Sequence, residues 1–206
     1  GANRLGGNSL SDLLVFGNLA GIGASNYAKK LESIPAFHEE AAKKIIRNAT
    51  SILNREKGEN PYLLHEELQK NMQYNVGIIR TDAELQEGIK NIERLKEKHK
   101  NVKANGSSQF NPGWHEALGM RNLLITAEAV ARAAHLRTES RGAHTRDDYT
   151  TEREEWYQYN IISKKGEDGN MEIIKEKRPE PNTELFRIAN AKLEDLEAEV
   201  AAERKS

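Results

Sequence analysis

At 206 residues, with 37% hydrophobic and 31% charged, the chain can hold one ordinary domain or a small domain with appendages, its core modest and much of its helix surface wet. A formal net charge of -1 supplies no long-range attraction to nucleic acid or to a membrane surface, and no apolar stretch reaches the length needed to cross a bilayer. The chain has no cysteine, which excludes disulfides, thiolate catalysis and iron–sulfur ligation by its own residues.

The opening segment GANRLGGNSL places glycines at 1, 6 and 7, where a backbone loop can approach a ligand closely, and Ser9 then opens a helix. The SLSD pattern at 9–12 precedes the periodic apolar residues Leu13, Phe16 and Ala20, so a helix is predicted over 9–31. Free N–H groups and the positive end of the helix dipole favour an electron-rich acceptor there, and Arg4 can grip a carboxylate with two parallel hydrogen bonds. Gly17 and Gly21 lie on one side of this helix, which predicts close approach of another backbone. Its face of Leu10, Leu13, Leu14 and Val15 is expected to be partly orphaned within this chain.

A second helix is predicted over 36–55, with Phe37, Ala41, Ile45 and Ile52 on one stripe. Asn60 and Pro61 start a third, through Leu64, Leu68 and Met72, and residues 74–80 read as a bend around Gly77. The TDAE capping box at 81–84 begins a fourth, stepping through Leu85, Ile89, Ile92, Leu95 and His99. Asn111 and Pro112 open a long fifth helix to about 139, with Leu118, Ile125, Val130 and Ala134 assigned to the centre of a bundle. Short connections between the last three helices predict an antiparallel three-helix bundle. From Trp156 the pattern WYQYNIIS, KKGEDGN, MEIIKEK reads as a β-hairpin, and after RPEP a marginal amphipathic helix over 182–203 is expected to pack on it.

Two segments carry a family resemblance. GANRLGGNSL followed by D and LVFG, and, about a hundred residues on, NPGWHEALGMRNLLITAEAVARAA leading into RTESRGAHTRDDYT, resemble in order the C-terminal part of succinate dehydrogenase and fumarate reductase flavoprotein subunits. The resemblance covers residues 1–23 and 111–149 well, and the stretch between only by helix order. Thr150 stands where the family usually has proline, and Asn18 where arginine is frequent.

The resemblance implies a mainly α fold, with an N-terminal helix from the flavin domain (1–34) and a helical C-terminal domain (35–150); the β-hairpin and tail helix read from the pattern make up 151–206, and the tail departs from the family, whose chains commonly stop soon after the hairpin. It implies the C-terminal portion of an FAD-containing subunit that interconverts succinate and fumarate and passes electrons through an iron–sulfur subunit to a quinone-linked membrane anchor. That places the whole enzyme in the cytoplasm at the inner face of the cell membrane, with a C4 dicarboxylate as substrate and no role for nucleic acid. A chain beginning within the first motif is expected to be a piece of a longer protein that turns over only when whole.

In the same way the resemblance assigns Arg4 to a substrate carboxylate, and the backbone N–H groups of Ser9 and Leu10 to the flavin ring edge. Their plain alternatives are a surface ion pair and simple N-capping. Arg141 and His144, with Arg146 and Asp148, have two open readings: docking against the flavin domain, or a charge-and-turn motif at the end of a long helix. Neither reading makes them catalytic, and the proton-relay arginine and the flavin-linking histidine of the family fall upstream of this sequence. His38, His65, His99, His115 and His135 lack paired ligand spacing, so no metal site is expected. Two other readings remain. L-aspartate oxidase shares the design but generally reads GANRLASNSL and lacks the HxR supplied here by His144 and Arg146. A stand-alone helical interaction module would have no need of the opening glycine loop.

Overall fold

The computed structural model describes residues 8–34 and 36–203. In chain order these form α1 (Asn8–Lys30), α2 (Glu39–Asn54), α3 (Pro61–Asn75), β1 (Ile79–Arg80), α4 (Asp82–His99), α5 (Pro112–Leu136), β2 (Thr145–Arg146), a 3-10 turn (Glu154–Gln158), β3 (Tyr159–Lys165), β4 (Met171–Lys177), α6 (Thr183–Asn190) and α7 (Leu193–Glu203). The fold is mainly helical, with a small antiparallel hairpin and two tail helices.

The helix starts follow from local chemistry. Asn60 Oδ1 accepts from the Tyr62 N–H at 3.0 Å, Asn111 Oδ1 accepts from the Trp114 N–H at 2.9 Å, and in both cases proline occupies the first helical position, where no intrahelical donor is needed. At α4 the capping box closes: the Thr81 N–H donates to Glu84 Oε2 at 2.9 Å while Thr81 Oγ1 accepts from the Glu84 N–H.

Helices α3, α4 and α5 pack on one another as the antiparallel bundle. The ion pairs fix the directions: Lys96 meets Glu128, Glu93 meets Arg132 and Asp82 meets His135, so α4 and α5 run oppositely, and Glu67 meets Lys98 while Asn71 donates to the Gly88 carbonyl, so α3 and α4 do too. The core between them is Leu64 and Leu68 from α3, Leu85, Ile92 and Leu95 from α4, and Ala117, Met120, Leu124 and Ala131 from α5. Burying such side chains contributes about 1.5–3 kcal/mol each for the larger ones. A Cβ at Gly88 would lie 2.8 Å from Val76 Cγ2, so its hydrogen atom is what lets α4 pass the end of α3.

Three expectations need correction. Ile125 and Val130 are 44% and 43% exposed, because α5 turns its other row, Ala117, Met120, Leu124, Ala127, Ala131 and Ala134, to the core. On α2 the stripe reaches the core only through Ile52, with Leu53 packed against it, and Phe37 and Ile45 are exposed; α2 meets α5 at its last turns, where the Trp114 indole N–H donates to the Ala49 carbonyl at 2.9 Å. The tail is two helices, broken where Ala191 turns extended, and α6 buries none of its residues, so it does not pack closely on the hairpin.

The bend after α3 contains β1, which pairs in parallel with β2, Ile79 opposite Thr145 and Arg80 opposite Arg146. This pairing brings segments far apart in sequence to the same end of the bundle. The hairpin β3–β4 turns through Gly169 in the left-handed region (φ 83°) and lies against α5, with buried Trp156 beneath Lys175 and Arg137. Among the described residues no element packs along α1, whose Leu10, Leu13, Leu14, Phe16 and Leu19 are exposed, and none approaches the Cβ positions of Gly17 or Gly21.

Candidate functional site

Two places bear on the expected site. Arg4 lies outside the described residues. Ser9 and Leu10 are the second and third residues of α1, within its first turn, where backbone N–H groups have no partner inside the helix. That turn carries no acidic side chain, and the positive end of a 23-residue helix dipole lies there. The donor set therefore fits an electron-rich or anionic acceptor. Among the described residues no group of three or more histidine, aspartate or glutamate side chains gathers as a metal site.

The second place is the loop that follows α5. Arg137 ends the helix, its N–H bonding to the Ala133 carbonyl, and the chain then folds back on itself. Ser140 Oγ donates to the Tyr149 carbonyl at 2.7 Å and accepts from the Arg146 N–H at 2.8 Å, which ties the two limbs. Arg141 and His144 exchange backbone hydrogen bonds around Gly142, which sits in the left-handed region (φ 58°).

Within this loop Glu139 is fully buried and accepts four hydrogen bonds: from Arg137 Nη1 at 2.5 Å, Arg141 Nε and Nη2 both at 2.9 Å, and the Arg153 N–H at 2.9 Å. Burial alone would push its carboxyl up; the Arg141 guanidinium, the Arg153 N–H and Arg137 outweigh this and hold it down at about 2. Arg141 is raised in turn by Glu139; its second carboxylate partner is Glu152 at 3.2 Å, and its guanidinium lies 3.7 Å from the centre of the Tyr157 ring.

Arg146 is also fully buried. Its guanidinium forms a two-pronged pair with Asp148, Nε to Oδ1 and Nη2 to Oδ2, both at 2.7 Å, and Nη1 points at the Ala134 and His135 carbonyls in the last turn of α5. Asp148 Oδ2 accepts from the Asp82 N–H at 2.7 Å, in the first turn of α4. A cation thus closes the negative end of one helix and its own counter-ion closes the positive end of the next, which locks α4 and α5 end to end. The Arg146 pair, with the Asp82 N–H, holds the Asp148 carboxyl at about 2.

His144 is half-buried between the two limbs. Its Nε2 faces the Arg137 carbonyl at 3.1 Å and so donates, leaving Nδ1 to accept from Arg80 Nη1 at 2.7 Å. Burial lowers its pKa, the Arg137 carbonyl works against that, and the Arg80, Arg146 and Arg137 cations lower it further, so the ring is held neutral. Arg80 Nε donates to the Gly77 and Val76 carbonyls at the end of α3. Burial and the neighbouring Arg146 lower its pKa, and no carboxylate of the described residues lies within ion-pair distance of it.

The structure therefore brings Arg141, His144, Arg146 and Asp148 into one cluster, apart from the α1 terminus in sequence. Their contacts within the chain are structural: each acid and base is engaged, and among the described residues of the cluster no nucleophile stands beside a free base. Glu139, Arg80, Arg137 and Arg153 belong to the same cluster and were not singled out from sequence. For Glu139 the signal was present, an acidic residue flanked by arginines two positions away on each side.

The chain matches the family model described as fumarate reductase flavoprotein C-term over residues 65–197. It is 34% identical over 172 residues to a chain of the fumarate reductase (CoM/CoB) of Methanothermobacter marburgensis, covering 81% of this chain and 30% of that one. It is 38% identical over 173 residues to the succinate dehydrogenase flavoprotein subunit of Coxiella burnetii, covering 81% and 29%. A chain of the Mycobacterium smegmatis Sdh1 structure in complex with UQ1 superposes with a TM-score of 0.83 at 42% identity, covering 95% of this chain and 33% of that one. This chain thus spans about a third or less of the proteins it matches. With most of the bundle and the whole of the hairpin and arginine-rich loop inside the matched segment, the chain belongs to the succinate dehydrogenase and fumarate reductase flavoprotein family, as a C-terminal portion of it.

Proposed function

We propose that the chain serves as the C-terminal part of an FAD-containing subunit that interconverts succinate and fumarate, the greater part of the flavin site being contributed by sequence of the kind its longer relatives carry. The observation that carries this reading is the GANRLGGNSL segment running into α1, where the Ser9 and Leu10 N–H groups have no intrahelical acceptor and the first turn has no acidic side chain. In this role Arg4 grips one carboxylate of the C4 diacid, and its planar fork fixes both the position and the angle of the substrate. The N–H groups of Ser9 and Leu10 supply partial positive charge at the ring edge, where negative charge gathers on reduction. FAD, when bound, supplies the two-electron acceptor that this chain's own side chains lack.

On the same reading residues 1–34 belong with the flavin domain, 35–150 form the helical C-terminal domain and 151–206 the hairpin and tail. Arg141 and His144 act by shaping the loop that seats the helical domain on the flavin domain. The exposed apolar side chains of α1 are covered by that domain. The partners are membrane anchor subunits together with an iron–sulfur subunit, which hold the enzyme at the inner face of the cell membrane; no described helix of this chain is long and apolar enough to cross one.

The test is an assay of the full-length polypeptide with succinate and a dye acceptor. Arg4→Lys exchanges a two-pronged charged contact for a single one, so KM for succinate should rise about ten- to a hundredfold, equivalent to ~1.4–2.7 kcal/mol. Unchanged KM and kcat would remove the assigned role of Arg4. A full-length protein that neither binds FAD nor oxidises succinate would remove the reading as a whole.

A further inference from the structure

Arg80 is the cation in the arginine cluster that no carboxylate of the described residues balances. Arg137 and Arg141 share Glu139, Arg146 has Asp148 and Asp82, and Arg153 has Glu155, whereas Arg80 meets two carbonyls and a neutral imidazole. A half-buried guanidinium next to other guanidinium groups is unfavourable without an anion. Its Nε and Nη1 are engaged; Nη2 has no hydrogen-bond partner among the described residues, and since no fully buried side-chain nitrogen or oxygen there is left without one, Nη2 is within reach of solvent.

The residues that precede Arg80, from the last turn of α3 onward, include large apolar side chains displayed outward. Ile78, Ile79 and Tyr74 are 81%, 59% and 76% exposed. The backbone forces this display: at Gly77 a Cβ would lie 2.5 Å from the Gln73 carbonyl oxygen, so the chain hugs the end of α3 there and presents Ile78 beyond it. The parallel pairing of β1 with β2 and the Arg80–His144 hydrogen bond then fix the segment in place. Exposed large apolar side chains within six residues of a fixed arginine have the composition of an interface centre, whereas a small anion would leave all three apolar groups in water.

We propose that Arg80, with Ile78, Ile79 and Tyr74, forms a docking face for the flavin-binding region, which presents an aspartate or glutamate carboxylate to Arg80 Nη2. This rests on the function proposed above, and it assigns to that region a specific chemical complement: one acid within an apolar rim. The choice of occupant follows from the missing negative charge and from length, since relatives carry about 70% of their chain outside the part matched here. His144 is a positioning residue for this face, because its neutral Nδ1 holds Nη1 and so aims Nη2 outward.

The experiment uses the full-length flavoprotein with p-benzoylphenylalanine at position 78, irradiated and mapped by mass spectrometry, together with amide exchange on Arg80→Gln and Arg80→Lys. The expected result is a cross-link to a peptide of the same chain that precedes residue 1 and contains or adjoins an acidic residue. Amides at 78–80 should exchange about tenfold faster in Arg80→Gln, with partial rescue in Arg80→Lys, as expected for loss of a desolvated charge pair. Cross-links only to another subunit or a second copy, or none, overturn the proposal. So does protection at 78–80 that follows added inorganic phosphate and ignores the Gln substitution. Bound FAD and succinate oxidation are measured on the unsubstituted protein in parallel: their absence refutes the proposed function, whereas their presence without the cross-link refutes the docking face alone.

Discussion

Removing the Glu139 carboxylate tests the account of the loop after α5 most directly. The side chain is fully buried and accepts four hydrogen bonds, three of them from guanidinium nitrogens, at 2.5–2.9 Å. Glu139→Ala strands the Arg153 N–H and removes the acid shared by Arg137 and Arg141. Breaking a buried pair in this way typically costs about 3–5 kcal/mol. Here Arg141 keeps Glu152 and the Tyr157 ring, and Arg137 keeps the face of Trp156, which places the expected loss near ~3 kcal/mol, at the lower end of that range. For a chain of this size that lowers the melting temperature by about 6–12 °C. Urea denaturation followed by circular dichroism at 222 nm gives the free energy. Glu139→Gln, which preserves shape and one acceptor, should lose roughly 2 kcal/mol. The triple replacement of Glu139, Arg137 and Arg141 by apolar residues of similar volume should be less damaging than Glu139→Ala alone, because no charge is left without a partner. A Glu139→Ala protein within about 1 kcal/mol of the parent would refute the reasoning, since buried charge would then not be what holds the loop.

The same cluster sets the acid response. Glu139 and Asp148 both have pKa values lowered to about 2, from 4.5 and 3.8, so their stabilisation is present above those ordinary values and is lost as pH falls toward 2. His144, lowered from 6.5, costs stability as pH drops below 6.5, because the unfolded chain takes up the proton first. Urea midpoints measured from pH 7 to 2 should therefore decline in two stages, and Glu139→Gln should flatten the lower one; an unaltered lower stage would count against the assignment. Gly88→Ala gains about 1 kcal/mol of helix propensity but drives a methyl group to 2.8 Å from buried Val76, where overpacking costs about 1–3 kcal/mol. A net loss of stability is expected in chemical denaturation, and a net gain would show that α3 and α4 are less tightly apposed than described.

Where helices begin was legible from residue order. Asn60–Pro61, Asn111–Pro112 and the box of Thr81 with Glu84 act through atoms two or three residues away, and each cap forms where its pattern stands. The hairpin was legible for the same reason, its turn being set by Gly166, Asp168 and Gly169 within a few residues. The family was legible too, through motifs that require no coordinates to compare.

The interior side of α5, by contrast, was not readable in one dimension. That helix is apolar or small on most of its circumference, so periodicity offers several phases, and the row chosen depends on how Ala117, Met120, Leu124 and Ala131 mesh with Leu85, Ile92 and Leu95 of α4. Likewise Arg80 reads as an ordinary residue in a bend until β1 pairs with β2 and sets it beside His144, 64 positions away. Whether a charge is balanced is a property of neighbours in space. Local sequence fixes caps and turns because their partners are near in the chain, whereas the core phase and the pairing of charges wait on contacts that folding alone creates.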